Sequence, residues 1–124
     1  METEIIKVKV KTEYLPEQSS PENNRFVFAY HITIKNCGEK SAQLLRRHWF
    51  IADGNQNTEE VKGDGVVGQQ PLILPGEYYE YSSGTIMKTS VGSMHGYYIM
   101  VDSAGKTFQA IIPPFTLALP NQLH

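Results

Sequence analysis

The sequence predicts an all-β domain, an antiparallel β-sandwich of seven to eight short strands. Apolar and polar residues alternate with a period of two along most of the chain, and seven prolines and ten glycines interrupt the alternation. No segment with a helical period separates the strands, so the long crossovers that parallel strands need are absent. Short strands joined by turns are typical of a sandwich or barrel. A length of 124 residues suits a single domain covering residues 1–124.

The first two strands have the clearest alternation. Residues 4–15 place apolar side chains on one face and charged ones on the other, and the strand that begins at Phe26 places aromatic and aliphatic side chains on one face. A polar loop with two prolines separates them. The charged face, with Lys7, Lys9 and Lys11, would suit nucleic acid. It also discourages pairing of an exposed strand edge, and we favour this second interpretation.

The middle of the chain predicts a covered strand followed by a hairpin. Residues 44–53 are apolar on both faces around Trp49, as expected of a strand that is covered on both sides. The polar segment 53–57 predicts a hairpin turn, and residues 58–62 predict its short second arm.

Four further extended segments complete the prediction. They are expected over residues 71–76, 77–87, 94–103 and 106–112. The last of these should end at Pro113 and Pro114, because proline lacks the N–H group that a strand ladder needs. The tail from residue 115 to residue 124 has no strong pattern.

Two aromatic positions favour an immunoglobulin-like arrangement. Trp49 lies in the third strand, and Tyr97 or Tyr98 lies near the start of the penultimate one, as the core tryptophan and corner tyrosine do in such sandwiches. The disulfide of antibody domains cannot form, because Cys37 is the only cysteine. The closer parallel is therefore with fibronectin type III domains.

Composition narrows the partners and the compartment. A net charge of −2 and a pI near 6.1 give no attraction to nucleic acid or to acidic membranes, so we expect neither as a partner. The chain has a single cysteine, an acidic start without an apolar signal segment, and no apolar run of about 18 residues. Together these features predict a cytoplasmic protein.

The sharpest motif is Gly63-Asp64-Gly65-Val66-Val67-Gly68, which has the G-x-G-x-x-G spacing of dinucleotide-binding loops. Those loops open a helix whose N-terminus holds a pyrophosphate, whereas Pro71 follows closely here and disfavours a helix. Glycines can equally serve a tight turn or a positive φ. Gly63, Gly65 and Gly68 are therefore candidates for binding an anion or pyrophosphate. The alternative, which we favour, is that these glycines only allow the geometry of the loop.

Arg46, Arg47 and His48 form a candidate recognition patch in the third strand. Alternation places Arg46 and His48 on one face and Arg47 on the other. A guanidinium group suits bidentate contact with a carboxylate or phosphate. The alternative, which we favour, is a structural pair across strands with an acid such as Glu77 or Glu80.

Tyrosines and a further histidine extend this patch. Alternation must leave some of the tyrosines outside, where they would anchor a protein interface, unless they pack on one sheet face. The additional candidates are Tyr78, Tyr79, Tyr81 and His95. No histidine or cysteine spacing indicates a metal site, and no cofactor is expected.

No pattern in the sequence indicates catalysis. Cys37 is expected in a turn without a neighbouring base, and none of the serines lies in a nucleophile-elbow context. We therefore expect a binding module rather than an enzyme.

Several of these segments together resemble the ApaG family. They are Arg46-Arg47-His48-Trp49, residues 61–71 with the glycine motif, Leu74-Pro75-Gly76-Glu77, Tyr81-Ser82-Ser83-Gly84, His95-Gly96-Tyr97-Tyr98 and Ile111-Ile112-Pro113-Pro114-Phe115. The resemblance runs nearly from end to end. It implies a fibronectin-III-like sandwich, an association with cobalt tolerance and magnesium efflux, and a role as an interaction module. It also implies a pyrophosphate-binding role for the glycine motif.

From these patterns and the family resemblance we expect one of two functions. The first is a non-catalytic module that binds an unknown protein partner. The second is a small-ligand binder that grips a nucleotide or pyrophosphate through the loop from Gly63 to Gly68 and the nearby arginines. A homodimer is compatible with either function, because the edges of a sandwich can pair.

Overall fold

The computed structural model describes residues 5–120, which form two antiparallel sheets that face each other. The strands are β1 (Ile6–Tyr14), β2 (Phe26–Asn36), β3 (Ala42–Asp53), β4 (Thr58–Asp64), β5 (Leu72–Ile73), β6 (Tyr78–Met87), β7 (Val91–Asp102) and β8 (Thr107–Ala118). The small sheet has the order β1-β2-β6, and the large sheet has the order β4-β3-β7-β8 with β5 paired to β3. This architecture confirms the predicted antiparallel sandwich.

Helical structure is limited to short turns in the described part of the chain. Two 3₁₀ turns, Pro16–Gln18 and Pro21–Asn23, occupy the predicted loop between β1 and β2. Each begins at a proline, whose fixed φ suits the first position of a helical turn. Between residues 5 and 120, no helix is long and apolar enough to cross a membrane.

The core fills the space between the sheets. The alternation of β2 sends Phe28 and Ile32 inward, where their exposed fractions are 0% and 1%. The large sheet contributes Trp49, which is 2% exposed. Its ring centroid lies 5.4 Å from that of Tyr30 and 6.5 Å from that of Tyr98, both in edge-to-face contact. Trp49 therefore fills the core as predicted.

A β-bulge in β3 determines which arginine faces inward. The register of β3 against β7 shifts between Leu44 and Arg46, so the alternation restarts after one extra residue. Arg47 and Trp49 then face the small sheet, whereas Arg46 is exposed on the outside. The two arginines lie on opposite faces, as alternation predicts.

The last strand runs past its two prolines, and the prediction that it ends before them is wrong. β8 continues to Ala118, pairs only with β7 among the described strands, and its register shifts opposite the prolines. An edge strand has an unpaired side and a bulge leaves residues unpaired, so Pro113 and Pro114 can be accommodated without losing ladder hydrogen bonds. Residues 115–118, predicted to lack a pattern, belong to this strand. Residues 121–124 lie outside the described part.

One buried polar side chain joins the end of β2 to neighbouring segments. Asn36 is 0% exposed. Its Nδ2 donates to the carbonyl oxygens of Lys40 and Ile73, at 2.8 and 2.9 Å. Its Oδ1 accepts a hydrogen bond of 2.9 Å from the N–H of Gly38. The side chain therefore satisfies its buried polar groups and fixes both the following turn and β5.

The sandwich is closed on one side and open on the other. β1 of the small sheet packs against β8 of the large sheet. On the opposite side, β6 and β4 line an open cleft between the sheets. Arg47 of the predicted recognition patch lines this cleft.

Candidate binding cleft between the two sheets

The cleft between β4 and β6 has a volume of about 710 Å³ and a lining that changes along its length. Its lining residues include Tyr30, Arg47, Trp49, Ile51, Glu59, Val61, Ser83, Thr85, Ile86 and Met94. Arg47 supplies a positive charge at one end, and Ile51 and Met94 supply apolar surface at the other. A few polar groups in a mostly apolar concave surface are typical of a binding site.

The guanidinium group of Arg47 is held against β4. Its Nη1 donates to the carbonyl oxygens of Asp64 and Gly65, at 3.1 and 3.0 Å. A Cβ atom on Gly63 would lie 2.7 Å from the Cζ of Arg47, so the guanidinium rests directly on the glycine backbone. Its Nε and Nη2 have no acceptor within residues 5–120, and no carboxylate there forms an ion pair with it. Arg47 therefore presents unused donors and a positive charge to the cleft.

Arg46 lies on the other face and has a different partner from the one expected. Its Nε is 3.7 Å from Oδ1 of Asp64, and both side chains are mostly exposed. Such a pair contributes little to stability. The predicted acids, Glu77 and Glu80, form no ion pair with either arginine in the part of the chain that the structure describes. Glu80 lies in β6 of the small sheet, and Glu77 directly precedes that strand. The strand that pairs with Arg46 and Arg47 of β3 is β4 of the large sheet.

The glycine motif forms a tight hairpin rather than the start of a helix. Val66 and Gln69 exchange two backbone hydrogen bonds of 2.8 and 2.9 Å around Val67 and Gly68. The φ angles at Val67 and Gly68 are +47° and +76°, which corresponds to a type I′ turn. Gly68 thus occupies a position where glycine avoids steric strain.

Gly65 serves close backbone contact in the same loop. A Cβ atom there would lie 2.3 Å from the carbonyl oxygen of Gln69, and φ is +63°. Its N–H donates to the carbonyl oxygen of Leu45 at 2.8 Å. The N–H groups of Gly65, Val66 and Gln69 therefore have acceptors inside the protein, and carbonyl oxygens of the loop face Arg47.

The three predicted tyrosines of β6 lie on two different faces. Tyr78 is 62% exposed on the outer face of the small sheet. Tyr79 and Tyr81 are half-buried and pack against the core. Tyr79 and Tyr81 thus contact the core between the sheets, and Tyr78 is the tyrosine of β6 that faces outward.

Tyr81 links the two sheets behind the cleft. Its hydroxyl oxygen lies 2.6 Å from that of Tyr98, and either O–H group can be the donor. Burial raises the pKa of both phenols above the ordinary value. At Tyr81 the hydrogen bond with Tyr98 and, to a smaller extent, the charge of Arg47 oppose this rise in pKa. Both hydroxyls are therefore neutral hydrogen-bonding groups at physiological pH.

His48 and His95 lie on the outer face of the large sheet, away from Arg47. The rings of His48 and Phe50 are stacked with centroids 4.5 Å apart, and those of Phe50 and His95 are stacked at 5.1 Å. Nε2 of His48 contacts a carboxylate oxygen of Glu60, and Nδ1 lies 2.7 Å from the hydroxyl of Tyr97. Sequence reasoning missed the contacts of Glu60 and Tyr97, because three different strands supply them. The alternation of side chains along each strand predicts that His48, Glu60 and Tyr97 face outward, but it does not predict that they contact one another.

The histidines do not converge on one site. His31 lies on the outer face of the small sheet, where its ring nitrogens contact Ser82 at 2.6 Å and Glu13 at 3.4 Å. His124 lies outside the described residues. Within residues 5–120, no group of three histidine, cysteine or acidic side chains is close enough to hold a metal ion.

A second depression lies near the closed side of the sandwich. Its volume is about 770 Å³, and its polar side chains are those of Cys37, Glu39, Lys40, Asp102, Lys106 and Gln109. It contains no residue of the predicted patch. The cleft at β4 and β6 is therefore the place where the structure brings Arg47 close to Gly63, Gly65 and Tyr81.

Comparison with known proteins identifies the family. The sequence profile of the ApaG domain matches residues 16–102. The chain belongs to the ApaG family. Protein ApaG of Pseudomonas paraeruginosa (strain PA7) is 60% identical over 119 residues, which cover 96% of this chain and 94% of that protein. Protein ApaG of Shewanella sp. (strain W3-18-1) is 55% identical over 119 residues, with the same coverage of 96% and 94%.

Solved structures agree with the ApaG assignment. A crystal structure of a Bordetella pertussis protein described as ApaA is 47% identical, with a TM-score of 0.91 over 93% of this chain and 94% of that chain. An X-ray structure of a structural-genomics target is 52% identical, with a TM-score of 0.92 over 97% and 91%. The ApaG resemblance that the motifs carry is therefore confirmed.

Proposed function

We propose that this ApaG-family chain is a non-catalytic protein-binding module and that the cleft between β4 and β6 is its recognition site. The observation that carries the proposal is Arg47, a partly buried arginine without an acidic partner among the described residues, at the end of an open cleft. Arginine and aromatic side chains are the residues that most often dominate protein interfaces. The aromatic rings of Tyr30 and Trp49 line the same cleft.

The chemistry of the cleft supports binding rather than catalysis. The phenols of Tyr81 and Tyr98 are held neutral by burial, so neither is poised to exchange a proton near pH 7. The His48–Glu60 contact, which has the partners of a proton relay, lies on the flat outer face of the large sheet. The single cysteine, Cys37, is exposed in a turn. Ser83 and Thr85 line one wall of the cleft and Glu59 lines the other, but among residues 5–120 neither hydroxyl is hydrogen-bonded to that carboxylate.

Site-specific crosslinking in cells of the source organism tests the proposed function. A photoreactive phenylalanine would replace Glu59 or Ile86, which line the cleft, or Thr107, an exposed residue of β8 that does not. We expect a protein adduct at the two cleft positions, absent at Thr107 and reduced by Arg47→Gln. Equal adducts at all three positions, or adducts unaffected by Arg47→Gln in a folded protein, would contradict the proposal.

A nucleotide or pyrophosphate at the loop from Gly63 to Gly68 is the second candidate function. The exposed side chain of Arg46 and the unused donors of Arg47 flank this loop and supply the positive charge it would need. An NMR titration with a dinucleoside polyphosphate and with pyrophosphate, each with and without magnesium or cobalt, tests it. Saturable amide shifts confined to residues 44–49 and 61–71 are expected if the loop binds. Unchanged shifts at millimolar ligand would exclude this function.

The family association with cobalt tolerance and magnesium efflux fits a binding module. Such a module would act on metal transport through its partner, without a metal site of its own. The cytoplasm is the proposed compartment, because the single Cys37 suits a reducing environment. Direct stoichiometric binding of cobalt to the protein would argue for a different role.

A further inference from the structure

The edge strands of the sandwich differ in how they are protected from pairing with another chain. The outer strands are β1 and β6 in the small sheet and β4 and β8 in the large sheet. β1 carries three lysines, β4 carries three acids and a lysine, and β8 carries two prolines. Charges and prolines of this kind block edge-to-edge association.

The edge of β6 has no such protection. In its ten residues, Glu80 is the only charged side chain, and there is no proline. In the segment from Ser82 to Ile86, the β-branched residues Thr85 and Ile86 are of the kind enriched in strands. Of the four strands β1, β4, β6 and β8, within the described part of the chain, β6 thus has the least protected edge, which favours pairing with another chain.

The hydrogen-bonding direction of β6 shows which groups are free. The N–H of Asn36 donates to the carbonyl oxygen of Glu77 at 3.0 Å, and the antiparallel register continues from Lys35 and Tyr78 without a shift. Alternate residues of an antiparallel strand point their backbone groups to opposite sides. Between residues 5 and 120 no strand pairs with the other edge of β6, and the residues that turn their N–H and C=O groups to this free edge are Tyr78, Glu80, Ser82, Gly84 and Ile86.

The free edge lies directly beside the cleft. Residues Ser82 to Ile86 form one wall of the cleft, and the side chains of β3 and β4 form the other. A strand added to β6 would direct every second side chain into the cleft, about 7 Å apart. Arg47 and Trp49 follow the same spacing on β3, and Val61 pairs with Trp49 in the register of β4. One inward side chain would therefore meet Arg47, and the next would meet apolar surface.

We propose that β6 binds an extended segment of a partner protein by strand addition, and that this segment carries an acidic residue two positions from an apolar residue. The inference rests on the proposed function and specifies its partner. The acidic side chain pairs with the unused donors of Arg47. The apolar side chain packs beside Val61, and the backbone pairs with the free groups of β6. Peptide recognition by strand addition gains affinity from such main-chain hydrogen bonds and specificity from alternate side chains.

A second copy of this chain fits the cleft less well than a foreign segment. If two β6 strands paired with each other, the inward side chains of each would already lie in their own core, as Tyr81 and Met87 do. The cleft and Arg47 would remain unfilled in such a dimer. A partner segment with free side chains satisfies both the edge and the cleft.

The test uses a phage-displayed library of random linear twelve-residue peptides selected on the full chain. We expect enriched peptides to share an acidic residue two positions from an apolar one. In the complex with a synthesised selected peptide, the amides of Ser82, Gly84 and Ile86 should gain protection from hydrogen exchange. Arg47→Gln should weaken the acidic peptide but not its Asp→Asn or Glu→Gln counterpart.

A matched pair of variants isolates the backbone contribution. Ile86→Pro removes an N–H that faces the free edge and leaves the β2 ladder intact, whereas Ile86→Ala shortens the side chain and keeps the N–H. We expect Ile86→Pro to weaken peptide binding about tenfold more than Ile86→Ala does. Thermal unfolding of both variants checks that each remains folded.

The outcomes separate this inference from the proposed function. If Ile86→Pro and Ile86→Ala bind equally while Arg47→Gln still weakens binding, the cleft recognises its partner without strand addition and the inference fails alone. Protection confined to the outer face around His48, or no enriched peptide despite crosslinks at Glu59, likewise overturns strand addition. Failure of the crosslinks and of every cleft variant would overturn both.

Discussion

The contact between Arg47 and Gly63 makes a measurable prediction about why a glycine stands at this position. A Cβ atom at Gly63 would lie 2.7 to 2.8 Å from Cζ, Nη1 and Nη2 of Arg47. The guanidinium would have to move, and its hydrogen bonds of 3.1 and 3.0 Å to the Asp64 and Gly65 carbonyls would be lost. At about 1 kcal/mol for each bond, Gly63→Ala should lower the free energy of unfolding by about 2 kcal/mol.

A double-mutant cycle separates this cause from other uses of the glycine. In an Arg47→Ala background, the new methyl group meets no guanidinium. Gly63→Ala should then be neutral or slightly stabilising, because alanine loses less backbone freedom on folding. The expected coupling free energy is therefore about 2 kcal/mol.

Urea unfolding followed by the fluorescence of Trp49 is the appropriate assay, because Trp49 is the only tryptophan and is buried in the core. Two-state curves with equal slopes would give the four free energies of the cycle. An equal cost of Gly63→Ala in both backgrounds would refute the packing explanation. A stable Gly63→Ala variant that instead lost binding of a phosphate ligand would favour the second candidate function.

Hydrogen bonds of Asn36, Asp53 and Asp102 and the backbone conformation of Val67 each predict a measurable effect on stability. Asn36→Ala removes one buried and two partly buried hydrogen bonds of a side chain that is itself 0% exposed, and should cost about 3 kcal/mol, roughly 10 °C in melting temperature. A loss of stability no larger than that caused by replacing an exposed asparagine would contradict this. Val67 is 63% exposed, has a φ of +47° and precedes Gly68 in the type I′ turn. Because asparagine tolerates a positive φ better than valine does, Val67→Asn should stabilise the protein by about 1 kcal/mol. A lower melting temperature of this variant would show the reasoning to be wrong. Hydrogen bonds from Asn57 lower the pKa of Asp53, and the hydrogen bond from the backbone N–H of Lys106 lowers the pKa of Asp102. Their stabilisation should therefore be complete above the unfolded pKa near 4 and disappear as pH falls through the lower folded pKa, which a carboxyl NMR titration would detect.

The faces of individual strands could be predicted from the sequence, because side chains alternate strictly along an extended chain. This is why Arg47 lies beside Trp49 and why Arg46 does not. The alternation holds even though a bulge precedes both residues. The motifs likewise carried the family resemblance, since the glycine hairpin and the arginine pair lie within the segment that the ApaG profile matches.

Contacts between strands could not be predicted in the same way. The cluster of His48, Glu60 and Tyr97 depends on the register of β3 with both β4 and β7, which no single strand encodes. The prolines of β8 misled the prediction, because their cost depends on whether the strand lies at a sheet edge. The inward position of Tyr81 required knowledge of which face of β6 meets the large sheet.

The hydroxyl contact between Tyr81 and Tyr98 has a consequence for the thermodynamics of recognition. This hydrogen bond connects β6 of the small sheet to β7 of the large sheet next to the cleft. Because both phenols stay neutral, ordinary changes of pH do not break the hydrogen bond. The spacing of the cleft walls is thus set when the protein folds, and little ordering of this chain remains to oppose association. The conformational entropy lost on binding is then mainly that of the partner segment. Segments that are already extended and stiff, for example because of a proline outside the paired residues, should therefore bind more tightly than flexible ones.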